Sequence, residues 1–292
     1  GVGAADEKTA AALLDLALDA GINIIDTADI YGCGASETML GKLLKGRRQK
    51  VLIASKVLGQ MKPSDPSTGG LSRKHILKAA EDSLKRLKTD RLDLYMPHGC
   101  DPQVPLEESL EAFAKLLKDG KIRVLGVSNF GGSHLAEARS AAAENNFPRV
   151  EFDQVQYSLA SRFIEDDLIP ECRKQSVSIM AWSPLGGGLL TGKYASAGPR
   201  PEGRRKVPGQ AFPSLPEARL TGVLEVLKQV AKLEGLTPAQ AALGWVMGRP
   251  QVACAVVGAR TPEQLKENLG ARPLSARSMS FLERASSLCL KA

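Results

Sequence analysis

The sequence predicts an α/β fold, a (β/α)8 TIM barrel whose N-terminal strand is missing from the chain. Three observations lead there. Seven short apolar runs of the buried-strand type alternate with helical patterns along all 292 residues, and buried strands joined by helical crossovers make a parallel sheet. No shift in composition divides the chain, so residues 1–292 are read as one domain, in the size range where single barrels of about 250 residues are common. No Gly-x-Gly-x-x-Gly follows any strand and the units are regular in size, which argues against a doubly wound sheet.

The elements follow in order. Asp6 to Ala20 opens on a capping Asp, places Leu and Ala at helical spacing and stops at Gly21. Ile22 to Ala28 is the first strand, short and β-branched. Ser36 to Lys45 is helical again, ended by Gly46, and Lys50 to Val57 is the second strand. Ser72 caps a helix with Ile76, Ala80, Leu84 and Leu87 on one face, leading to the strand Leu92 to His98. A helix from Leu106 to Lys118 precedes the strand Val124 to Asn129, and a helix from Ser133 precedes the strand Phe152 to Tyr157. A helix near Asp166 to Lys174 leads to the strand Ser178 to Ser183. Two helices between Glu217 and Arg249, the strand Val252 to Gly258 and a helix after Thr261 complete the pattern.

A barrel needs eight strands, and seven are counted. The chain opens at Gly1 with a helix imminent, so either the sequence is trimmed or the protein lacks a strand. Trimming is favoured, because an open barrel exposes two unpaired edges. The Pro-rich segment Ala195 to Pro216 reads equally as a lid and as an unstructured insertion.

Composition narrows the function. Hydrophobic residues at 43% and charged residues at 24% exclude a disordered, collagenous or coiled-coil chain. Apolar stretches such as Val252 to Val257 are far shorter than the roughly 20 residues a membrane helix needs. No basic stretch followed by an apolar core opens the sequence, so no secretory signal is expected in it. Five cysteines without a Cys-x-x-Cys pair suggest a reducing, cytoplasmic setting. The three histidines, His75, His98 and His134, lack ligand spacing, so no metal is expected. The net charge of +7 is spread over many segments with only 4% aromatic residues, which disfavours nucleic acid and leaves a small anionic ligand open. Oligomeric state has no signature.

In such barrels chemistry sits at the C-terminal strand ends, so the polar residues that interrupt each run there are the candidates. Asp26 ends the first strand with Tyr31 just beyond; Lys56 ends the second and His98 the third. An ammonium beside a phenol favours the phenolate, which is what a tyrosine general acid needs, and Asp26 can compensate a buried Lys56. His98 can hold a substrate carbonyl near the Tyr31 hydroxyl. Such a set suits protonation of a carbonyl oxygen while hydride reaches the carbon, and hydride requires a nicotinamide cofactor. Thr261-Pro262-Glu263-Gln264 reads as a capping box flanked by Arg260, a helix N-terminus suited to phosphate.

These residues resemble the aldo-keto reductase family. The stretch GINIIDTADIYGCGASETMLGKLL (Gly21 to Leu44) is similar to the family signature. ASKV around Lys56, LDLYMPHGCDP around His98, GKIRVLGVSNF, DQVQYSL, AWSPLGGGLLTGKY and VVGARTPEQLKENLGA follow in the family's order. The resemblance covers essentially the whole chain. It implies a catalytic tetrad of Asp26, Tyr31, Lys56 and His98, with Tyr31 as general acid. It implies further that Ser128, Asn129 and Gln154 hold the nicotinamide carboxamide and that Trp182 stacks on the ring. Ser183, Pro184, Leu185, Gly188 and Lys193 match the segment along the pyrophosphate. Gly258, Arg260, Gln264 and Asn268 match the adenosine end, where an Arg favours NADP(H) over NAD(H). The VVGARTPEQ form resembles the branch of aryl-alcohol dehydrogenase-like enzymes and potassium-channel β subunits more than the classical aldose-reductase branch. The expected function is an NADP-dependent oxidoreductase acting on a small-molecule carbonyl. A cofactor-binding regulatory protein with weak or no turnover is the rival.

Overall fold

The structure is a computed structural model that describes residues 6–62, 64–193 and 217–287. The expected loop Ala195 to Pro216 therefore lies outside the described residues. These fall into two compact units, one of 6–154 with 171–177 and one of 155–170 with 178–287.

The first unit alternates as the sequence predicts: α1 Glu7–Asp19, β1 Ile24–Asp26, α2 Ala35–Leu43, β2 Leu52–Val57, α3 Arg73–Leu87, β3 Leu92–Pro97, α4 Leu106–Lys118, β4 Ile122–Ser128, α5 Gly132–Glu144, then β5 Phe152–Gln156. The five strands run parallel and pair in chain order without a reversal, the arrangement of a (β/α)8 barrel and not of a doubly wound sheet. Asp6 caps α1 by accepting the Thr9 N–H at 2.8 Å, and Ser72 caps α3 by accepting the His75 N–H at 3.3 Å. Ile76, Ala80, Leu84 and Leu87 are all buried on one face of α3, as their spacing predicts. Gly41 lets α2 approach α3: a Cβ there would stand 2.3 Å from the Arg86 carbonyl oxygen.

The chain enters the second unit within β5 and crosses again within α6 Leu168–Gln175. That unit carries β6 Ser178–Trp182, α7 Glu217–Glu234, α8 Pro238–Met247, β7 Val252–Val256, α9 Pro262–Leu269 and α10 Ala276–Ser286. β6 pairs β7 in parallel. Seven strands are thus described, each where an apolar run predicts one. The core of the second unit holds Trp245, fully buried, with the guanidinium groups of Arg162 and Arg249 over its ring at 5.3 and 5.2 Å.

Candidate active site

Strand register brings the predicted residues of the first unit together. Asp26 is level with Ala54, so Lys56, two residues on, shares its face of the sheet. The Lys56 side chain is fully buried and its Nζ lies 2.7 Å from both Asp26 carboxylate oxygens and 2.8 Å from the Thr27 carbonyl oxygen. Burial pushes the Lys56 pKa down from the ordinary lysine range, and the Asp26 carboxylate opposes that shift. Three oxygens thus hold the buried Lys56 nitrogen.

Tyr31 sits over this pair, its ring centre 5.3 Å from Lys56 Nζ. It leaves β1 through a turn closed by its own N–H to the Ala28 carbonyl at 3.2 Å. His98 follows β3, where its N–H donates to Val57 O at 2.8 Å. Its ring meets Tyr31 edge-on at 5.6 Å between centres. Burial, aided by the Lys56 charge, pushes the His98 pKa down to about 4, so the imidazole is neutral at neutral pH.

The three residues expected at a carboxamide form one network with this group. Gln154 Nε2 donates to Asp26 Oδ1 at 2.7 Å, joining β5 to β1 across the unit. Ser128 Oγ donates to the Gln154 carbonyl at 2.8 Å. Asn129, in the left-handed region at φ 58°, donates from Nδ2 to the His98 carbonyl at 3.0 Å and to Ser128 Oγ at 3.1 Å. Seven residues from five strand ends are therefore fixed relative to one another.

Within the second unit, Trp182 ends β6 and Ser183 turns the chain at φ 55°. Ser183 Oγ accepts the Gly187 N–H at 3.1 Å, and its carbonyl accepts the Gly186 N–H at 2.8 Å. Pro184 is buried, while Leu185 and Gly188 are half-buried in this tight turn and Lys193 is exposed beyond it. Gly258 and Arg260 are exposed between β7 and α9, and Gln264 and Asn268 lie on α9 itself. The capping box is only half formed. Thr261 accepts the Gln264 N–H at 3.4 Å, but Gln264 Oε1 reaches past Thr261 to accept the Arg260 N–H at 2.9 Å. The intact box stands instead at Thr237 and Gln240 of α8.

Sequence reasoning missed a second polar group on the opposite face of β2. Ser55 Oγ donates to buried Glu37 at 2.6 Å, and Glu37 also takes the Arg86 guanidinium, Nε at 2.8 Å and Nη2 at 2.7 Å. Asp29, 1% exposed, joins them on the Tyr31 turn. A signal existed: Glu37 shares a helical face with Gly41, which packs into α3.

Fold and site together define a (β/α)-barrel protein with an acid/base cluster at its strand ends. Residues 1–286 match the model of the aldo/keto reductase family. The chain belongs to that family, whose members are oxidoreductases acting on small-molecule carbonyl compounds. It is 38% identical over 284 residues to an uncharacterised oxidoreductase, YrpG, of Bacillus subtilis, covering 92% of this chain and 84% of that protein. A putative voltage-gated potassium channel subunit beta of Schizosaccharomyces pombe is 38% identical over 271 residues, 88% of this chain and 77% of that protein. Protein tas of Escherichia coli is 36% identical over 292 residues, 90% of this chain and 84% of that protein. Among the described residues, no helix is long and apolar enough to cross a membrane.

Proposed function

We propose that this protein is an NADP(H)-dependent oxidoreductase interconverting aldehydes or ketones and alcohols, with Tyr31 as general acid/base. The observation that carries the reading is the seating of Lys56, held by both Asp26 oxygens and 5.3 Å from the centre of the Tyr31 ring. An ammonium beside a phenol eases transfer of the phenolic proton. In reduction Tyr31 gives its proton to the carbonyl oxygen as hydride reaches the carbon, and in alcohol oxidation it takes the proton back. His98, kept neutral by burial, offers an N–H to the same oxygen without a second charge beside Lys56.

Bound NADP(H) supplies the hydride. The donor set fits it: Ser128, Asn129 and Gln154 present a hydroxyl and two amides, groups that pair with a carboxamide. In the second unit, resemblance assigns ring stacking to Trp182 and the pyrophosphate to Ser183, Pro184, Leu185, Gly188 and Lys193. It assigns the adenosine end to Gly258, Arg260, Gln264 and Asn268. Arg260 is exposed on the turn before α9, so its fork suits a 2′-phosphate and supports NADP(H) over NAD(H). The free thiols of Cys33, Cys100 and Cys172 support a cytoplasmic setting.

A second reading, a cofactor-binding regulatory protein, draws support from the Schizosaccharomyces pombe relative. The test mixes purified protein with NADPH and a panel of aromatic and short aliphatic aldehydes while absorbance is followed. Steady oxidation at ordinary enzyme rates supports the oxidoreductase, whereas far slower oxidation across the panel favours the regulatory reading.

A further inference from the structure

Asp29 lies three residues after Asp26, yet it plays no part in the ion pair with Lys56. It is 1% exposed on the turn that carries Tyr31. Its own N–H donates to the Lys56 carbonyl at 3.2 Å, which ties the turn to β2. Its Oδ1 accepts the Ile30 N–H at 2.6 Å, and its Oδ2 is buried without a hydrogen-bond partner. One residue thus ties the turn to Lys56 through its main-chain N–H and braces the residue before Tyr31 through its carboxyl.

We infer that Asp29 is a positioning residue for the proposed acid/base pair, its buried carboxyl bracing the Tyr31 turn through the Ile30 N–H, and that it does so as the neutral acid. This rests on the reading of Tyr31 as general acid. The neutral form follows from what surrounds it. Glu37 on α2 already carries a carboxylate, saturated by Ser55 of β2 and Arg86 of α3. Lys56 of β2 is committed to Asp26, and the buried Tyr95 hydroxyl of β3 is itself without a partner. Arg86 and Lys56, each paired with another carboxylate, favour the charged form of Asp29 less than burial and the Glu37 charge oppose it, and its pKa is pushed up to about 7. Above that pH a second carboxylate appears beside the Tyr31 turn. It holds the phenol more firmly to its proton and makes Tyr31 a poorer acid.

The test compares wild type, Asp29→Asn and Asp29→Ala in aldehyde reduction with NADPH from pH 5.5 to 9, with thermal melting as a folding control. Asn keeps an oxygen for the Ile30 N–H but cannot ionise. The expected result is a wild-type kcat that falls as pH rises through about 7, and a flat profile for Asp29→Asn with neutral-pH kcat within about threefold of wild type. Asp29→Ala is expected to lose about tenfold or more in kcat with little change in the KM for NADPH. A profile of Asp29→Asn superimposed on wild type, a wild-type profile without the fall, or undiminished kcat in Asp29→Ala overturns the inference. Should wild type reduce no aldehyde at all, the functional reading fails and the inference is decided without turnover. Ultraviolet difference titration of wild type against Tyr31→Phe reports the Tyr31 midpoint directly. Asp29→Asn should lower that midpoint by about half a pH unit or more, and an unmoved midpoint overturns the inference.

Discussion

Gln154 Nε2 donates to Asp26 Oδ1 at 2.7 Å, the same oxygen that accepts from Lys56 Nζ. A residue expected to serve the cofactor thereby also orients the carboxylate that holds the lysine. Asp26 is the hub: it fixes the ammonium, and the ammonium fixes the setting of Tyr31.

The hub predicts a large stability effect. Asp26→Ala leaves a fully buried ammonium without its carboxylate, and breaking a buried pair costs about 3–5 kcal/mol. Lys56→Met with Asp26→Leu removes both charges and should be less destabilised than Asp26→Ala alone. Urea denaturation of the two variants measures the difference.

Gln154→Leu should separate binding from orientation. Losing one hydrogen bond to a charged group is worth about 1.5–3 kcal/mol, so kcat/KM should fall by roughly ten- to a hundredfold. If Gln154 orients Asp26 as well as serving the cofactor, kcat falls along with the affinity for NADPH. Steady-state kinetics with NADPH and one accepted aldehyde resolves the two.

His98 predicts acid sensitivity of a definite sign. Its folded-state pKa of about 4 lies below the ordinary 6.5, so the unfolded chain binds the extra proton. The stability it contributes is complete above pH 6.5 and is lost as pH falls toward 4, by up to about 3 kcal/mol. His98→Gln should reduce that loss, as read from melting temperature against pH.

Asp153 predicts the reverse. It is fully buried on β5 and both carboxylate oxygens lack a hydrogen-bond partner, with the Phe130 N–H alone favouring its charge. Burial pushes its pKa up to about 8, so the folded state keeps a proton that the unfolded state releases above about 4. Native stability therefore falls as pH rises from about 4 to 8. Asp153→Asn should be more stable than wild type at pH 8, with the gap closing toward pH 4.

Most of the first unit is legible in the sequence because a buried strand broken by one polar residue marks both the strand and its open end. Asp26, Lys56, His98 and Ser128 all announce themselves in this way. Strand ends are less legible: the apolar run spans Ile22 to Ala28, but β1 covers Ile24–Asp26, starting where Ile24 is level with Leu52, the first residue of β2. The contacts that matter most are set by register between distant segments. Gln154 meets Asp26 across 128 positions and Arg86 meets Glu37 across 49, and no local pattern encodes either. Asp29 looks like a loop residue, and no local pattern marks its burial or the Glu37 and Arg86 charges that act on it. The half-formed box at Thr261 shows a motif present in sequence whose Gln side chain finds a different N–H, that of Arg260.

Arg260 tests cofactor choice. Arg260→Ala should weaken NADPH by roughly ten- to a hundredfold, the worth of a charge-assisted pair, while NADH changes far less. Equal weakening of both cofactors would remove the assignment of Arg260 to a 2′-phosphate.

The central claim is that Tyr31 delivers the proton, and Tyr31→Phe addresses it with the smallest change. NADPH binding is followed through quenching of protein fluorescence, and aldehyde reduction through NADPH absorbance, in the same preparation. The account predicts binding within about threefold of wild type and a loss of kcat of about a hundredfold or more. Undiminished turnover in Tyr31→Phe would contradict it.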